Sequence, residues 1–310
     1  MLGFVAAFYG TWLGFGGRGF AITLGVFAFF LAGQVVVAAR GVQERIARLL
    51  GPHGAPALAV LPLFAYLIYA LGTNTFTWWR AGLAIAYVLA PFLLLTSSRT
   101  AAPGAWQDYV AILLLWLPVE FRWLHHLWPY PGQRLGHILT ELLAVTVGIL
   151  AFLFVRRLDG VGYTIAWGRG WGFQVGVNFV LFAAIAIPLG QVLRFIHFDP
   201  AYGELKTLPL TVLGMFLFIA WPEEFLFRGL LQNLLARTLG SARAGWLLAA
   251  VIFGLAHINN GGFPNWRYVI LATIAGICYG RAWQKTGSIF ASALVHTMVN
   301  LAWHLLFRTV

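Results

Sequence analysis

The sequence predicts an all-α fold, a polytopic transmembrane helical bundle of about ten spans (8–10) with one kinked helix. Hydrophobic residues make up 61% of the 310-residue chain and charged residues only 9%, against roughly 25% charged in a soluble domain. Mean hydropathy is +0.82. Tryptophans such as Trp78, Trp79, Trp106, Trp167, Trp171 and Trp266 gather near the ends of apolar runs, as interfacial belts do.

Taken in order, the apolar runs lie near 20–38, 56–72, 81–97, 108–119, 135–155, 171–193, 208–235, 245–258, 266–283 and 288–307. The fourth is short and reads as re-entrant, because a full span needs about 20 residues. The seventh is long and must tilt or kink. Met1–Gly16 is apolar but has no basic start, so no cleavable signal peptide is expected. The net charge of +11 is scattered between the runs. That pattern suits contact with anionic lipid and excludes a nucleic-acid stripe. An outside N-terminus puts the denser basic clusters, 40–48 and 156–169, on the inside, and the positive-inside rule favours both termini outside. The single cysteine, Cys278, rules out an intramolecular disulfide and has no basic neighbour to make it a nucleophile.

Charge is so scarce that all nine acids can be named: Glu44, Asp108, Glu120, Glu141, Asp159, Asp199, Glu204, Glu223 and Glu224. Glu223 and Glu224 fall inside the seventh run, with Arg228. Each charge there costs at least about 2.5–3.5 kcal/mol on the insertion scale. Glu224 and Arg228 are four apart and share a helix face. Glu223 points about 100° away and has no basic residue one turn from it. Pro222 precedes it and should kink the helix. A buried ion pair accounts for Glu224 and Arg228 as well as a functional role does. For Glu223 a functional role is the better account. Elsewhere, Glu120 and Arg122 after Trp116 and Pro118 only faintly echo this stretch, and His137 and Glu141 are spaced to pair.

Three further polar features lie in the last third of the chain. His257 ends the run Phe253-Gly254-Leu255-Ala256-His257, and His296 and Asn300 lie one helical turn apart. Singly, these residues read as interhelical hydrogen-bond glue. Counted from the same end of their spans, Glu223, His257, His296 and Asn300 lie roughly 20, 18, 12 and 18 Å deep, a similar level on three helices. A Glu beside a His can activate water as a general base, and His and Asn donors can stabilise an oxyanion. The same side chains, Glu223, His257 and His296, could instead hold a divalent metal such as zinc. The His-Glu-x-x-His spacing of zinc proteases is absent, so a metal-free reaction is favoured.

At these residues the chain resembles the CPBP family of intramembrane proteases, also called the Abi or type II CAAX prenyl endopeptidase family. Its pattern is Glu-Glu-x-x-x-Arg, Phe-x-x-x-His and His-x-x-x-Asn. The matching segments are Glu223 to Arg228, Phe253 to His257 and His296 to Asn300. The resemblance covers roughly 208–305. It implies a protease core over 205–308, after an N-terminal transmembrane region, 1–200, of unassigned role. By resemblance, Glu223 and His257 activate water, His296 and Asn300 form the oxyanion site, and Glu224 and Arg228 support the architecture or orient substrate. The implied partners are the lipid bilayer and a membrane protein or peptide substrate. The Arg- and Ala-rich usage suggests a GC-rich bacterial genome, hence a multi-pass protein of the inner membrane with a substrate other than a prenylated tail. The oligomeric state is left open. The competing readings are a proton- or ion-coupled transporter, since intramembrane Glu, Arg and His also mark ion pathways, and a non-catalytic scaffold.

Overall fold

A computed structural model describes residues 17–51, 53–201 and 206–310; Met1–Gly16 and Glu204 lie outside the described residues. The chain divides into two compact units between Asp159 and Gly160.

In the first unit the helices are α1 (Gly17–Ala38), α2 (Val42–Leu50), α3 (Ala55–Gly72), α4 (Trp78–Ser97), α5 (Trp106–Glu120) and α6 (Gln133–Ile149). A wide π turn, Leu150–Val155, continues α6. Helix α2 falls in the basic cluster 40–48, which the sequence presents as a plain loop. It buries no residue and, set between Gly41 and Gly51 outside the apolar runs, suits the membrane surface. Helices α1, α3, α4, α5 and α6 pack around aromatic groups. Trp128 is fully buried, with the rings of Phe30, Tyr66 and Tyr69 edge-on to it. His137 and Glu141 pair at 3.1 Å, as their spacing suggests.

The first unit also holds an ion pair that the sequence does not announce. Arg156 Nε donates to Asp108 Oδ1 at 2.6 Å and Nη2 to Oδ2 at 3.1 Å. Nη2 also reaches the carbonyls of Ala101 and Ala102, and the Gly104 amide donates to Oδ2 at 2.8 Å. Nearly every site on this buried pair is used to fasten the turn before α5.

The second unit contains α7 (Trp171–Val192), β1 (Ile196–Phe198), α8 (Leu208–Thr238), α9 (Ala242–Leu255), α10 (Trp266–Thr286), α11 (Ile289–Leu306) and β2 (Phe307–Thr309). Helix α10 packs against α9, α7 and α11, and α7 also packs on α11. That places α7 with the last helices rather than with the N-terminal spans. The two short strands pair antiparallel, with Ile196 opposite Thr309 and Phe198 opposite Phe307.

Among the described residues, seven helices are long and apolar enough to cross a membrane: α1, α3, α4, Leu135–Val155 of α6, α7, α8 and α11. The chain is therefore an integral, multi-pass, all-α membrane protein. The other three expected spans exist as helices. Helix α5 has 15 residues and α9 has 14, which is short of a full crossing. Helix α10 is long enough but carries Arg267, Arg281 and Lys285.

Two packing details set the positions of α9, α10 and α11. Gly254 of α9 and Gly276 of α10 let these helices approach closely. A Cβ on Gly254 would lie 2.7 Å from the Val269 carbonyl, and one on Gly276 would lie 3.1 Å from Ala250. Small residues at such crossings are how membrane helices gain contact. The start of α11 is fixed by Ser288, whose side chain caps the Phe290 amide at 3.1 Å, and by the Ile289 amide, which donates to Gly162 O at 3.0 Å.

Candidate active site

Helix α8 is built in five pieces rather than kinked at one point. An α segment, Leu208–Met215, leads into a π stretch, Phe216–Ala220. One α turn, Trp221–Glu224, is followed by a second π stretch, Phe225–Gln232, and a last α segment, Asn233–Thr238. The physical origin is Pro222, which has no N–H and whose ring clashes with the carbonyl four residues back in a regular α-helix. Widening the preceding turn relieves the clash: the Trp221 amide bonds Phe216 O, five residues back. Such π turns recur at functional sites. Here they flank the two glutamates on both sides.

Glu224 is the centre of the cluster, with no exposed side-chain surface. Its Oε2 accepts from Arg228 Nε at 3.0 Å and from the Ser292 hydroxyl. Its Oε1 lies 3.0 Å from His296 Nδ1. Three bonds from two helices thus satisfy a carboxylate that would otherwise be too costly to bury. The Arg228 guanidinium is fully buried and sits 4.8 Å over the Phe253 ring and 5.8 Å from that of Tyr279. Aromatic faces take up the part of its charge that Glu224 does not meet.

His296 is held on three sides. Nδ1 faces Glu224, the Tyr279 ring stacks on the imidazole at 4.5 Å and 18°, and Phe253 meets it edge-on at 5.9 Å. Nε2 points to Glu223, whose Oε2 is 3.9 Å away. The two consecutive glutamates, expected on different faces, thus converge on opposite nitrogens of one imidazole. Their exposures differ sharply: the Glu223 side chain is 33% exposed and that of Glu224 is 0% exposed.

His257 lies in the turn just after α9, not within the span, and is half-buried. Its Nδ1 lies 2.8 Å from Phe253 O. That bond commits Nδ1 and leaves Nε2 for other chemistry. The ring packs against Phe253 at 4.8 Å and Tyr268 at 4.9 Å. Phe253 therefore touches both histidines, which come together around its ring rather than by direct contact. Asn265 closes this turn: its amide nitrogen donates to Ile258 O at 2.8 Å, and its side chain caps the Tyr268 amide at 3.1 Å. Asn300 is half-buried, one turn beyond His296 on α11.

Of the six residues read from the sequence, Glu223, Glu224, Arg228 and His296 form one contact cluster, His257 joins through Phe253, and Asn300 joins through the helix alone. Among the described residues, no group of three or more His, Cys, Asp or Glu side chains is placed to hold a metal ion. The alternative ligand set Glu223, His257 and His296 is not gathered as such a group. Ser292 and Tyr279 escape the sequence reading. Ser292 lies one turn before His296 on the same face, a spacing signal. Tyr279 has none.

Comparison with curated proteins and with solved structures gave no match. Comparison with family models gave one, over residues 205–302, described as type II CAAX prenyl endopeptidase Rce1-like. This match spans α8 to α11 and contains every residue of the cluster. The three motifs lie within that match, and the 205–302 segment is similar to the Rce1-like type II CAAX prenyl endopeptidases.

Proposed function

We propose that the second unit is an intramembrane endopeptidase that hydrolyses a peptide bond of a membrane-associated protein or peptide. The observation that carries this reading is the His296 imidazole set between two adjacent carboxylates of unequal exposure. Glu224, sealed and bonded on both oxygens, orients. Glu223, one-third exposed, can meet water and substrate.

Glu223 takes a proton from water, with His257 assisting, and the hydroxide adds to the carbonyl carbon of the scissile bond. With Nδ1 committed to Glu224, the Nε2 of His296 is the nitrogen left for substrate. Carrying a proton, it donates to the carbonyl oxygen as negative charge develops, and Asn300 supplies a second donor. The proton on Glu223 then passes to the leaving amine as the C–N bond breaks. No covalent intermediate forms. The cell is bacterial on this reading, the enzyme sits in the inner membrane, and the site opens toward the outer half of the bilayer.

The test uses the full chain in liposomes with two fluorescence-quenched probes: a transmembrane peptide and a peptide with a farnesylated Cys-aliphatic-aliphatic-X tail. Glu223→Gln is expected to lower cleavage on the order of 10²- to 10⁴-fold while folding persists, and a chelator is expected to leave wild-type activity unchanged. Retained cleavage in Glu223→Gln removes this residue from the chemistry. Loss on chelation, restored by zinc, replaces the metal-free reaction. Proton-linked flux without cleavage of either probe makes the protein a carrier.

A further inference from the structure

We propose that Ser292 is a positioning residue of this site: its hydroxyl selects which Glu224 oxygen faces His296. The inference rests on the reading of His296 as a group that acts on substrate. Ser292 is fully buried on α11, one turn before His296. Its Oγ bonds Glu224 Oε2 and lies 2.8 Å from Tyr279 O on α10. One hydroxyl thus lies where α8, α10 and α11 meet, on the other oxygen of the carboxylate that orients the imidazole.

The need for it comes from how Arg228 binds. Arg228 and Glu224 are four apart on α8, and the guanidinium reaches the carboxylate through Nε alone. A single donor leaves the carboxylate free to turn about its last carbon–carbon bond. A second donor on the same oxygen, from another helix, fixes its plane and leaves Oε1 for His296 Nδ1. The Ser292 hydroxyl has one proton and two acceptors within reach. A carboxylate is the stronger acceptor, because charge-assisted bonds are about twice as strong as neutral ones. The carbonyl that Ser292 also touches belongs to Tyr279, whose ring stacks on His296. The same serine therefore sits between the carboxylate and the residue that clamps the imidazole.

The test compares Ser292→Ala with Ser292→Thr in the full-length protein. Cleavage of the two quenched probes gives kcat and KM separately. Side-chain ¹⁵N spectra of histidine-labelled protein, assigned with His296→Gln, report the imidazole without reference to activity. Ser292→Ala is expected to lower kcat on the order of 10- to 100-fold, the range for a hydrogen bond to a charged group. KM should stay near wild type and the His296 signal should move. Ser292→Thr, which keeps the hydroxyl, should restore both. Wild-type kcat with an unmoved His296 signal in Ser292→Ala overturns the proposal, as does equal loss in the Thr and Ala variants. Absence of cleavage by wild type defeats the protease reading instead, and the ¹⁵N comparison alone then decides the role of Ser292.

Discussion

The two units each bury an arginine–carboxylate pair, and the pairs are finished differently. Asp108 and Arg156 meet through two bonds, and main-chain groups of 101, 102 and 104 take up most of what remains. Glu224 and Arg228 meet through one, and the rest of the carboxylate goes to Ser292 and His296. The first pair spends itself on backbone and can only fasten a turn. The second keeps an oxygen for a titratable side chain that in turn faces a half-open glutamate. A buried ion pair is weak evidence for function by itself; its remaining partners separate a fastening from a site.

Paired neutralising substitutions test that contrast. Glu224→Gln and Asp108→Asn should each destabilise by about 3–5 kcal/mol, because each leaves a buried guanidinium uncompensated. Only Glu224→Gln should also lower kcat of the folded fraction, on the order of 100-fold. Unfolding measured in detergent beside cleavage per folded molecule reads both effects, and a similar kcat loss in Asp108→Asn would break the contrast. Next in size, Asn300→Ala should cost on the order of 10²- to 10³-fold in kcat, as removal of an oxyanion donor does, with no loss of stability. A combined loss of kcat and stability would make Asn300 helix-packing glue. Smallest, Phe253→Leu removes the ring under Arg228 and between the histidines. It should cost about 1–2 kcal/mol of stability and lower kcat several-fold. Thermal midpoints with and without Glu224→Gln sharpen the point, because the effect of Phe253 should depend on the charge of its neighbour.

Much of the site was legible because hydrocarbon makes polar residues rare and informative. Glu223, Glu224, Arg228, His257, His296 and Asn300 stood out against apolar runs, and helical spacing alone paired Glu224 with Arg228. The helices were legible for the same reason, because each of the ten apolar runs forms one. Asp108 and Arg156 were just as conspicuous singly, yet 48 residues separate them and no local period connects them. Serine and tyrosine are ordinary in membrane helices, so Tyr279 was silent and Ser292 was marked only by its one-turn spacing from His296.

By itself, then, the sequence determined that this chain crosses a membrane on all-α spans and carries three polar motifs in its last third. Composition and the helical period are local properties, and the cost of charge in lipid makes them decisive. Tertiary structure decided what each polar group does. The π turns around Pro222 and the close crossing of α9 and α10 bring two consecutive glutamates onto one imidazole and wrap two histidines around one phenylalanine. Distances of that kind depend on how helices far apart in the chain pack, and no period within one helix encodes them.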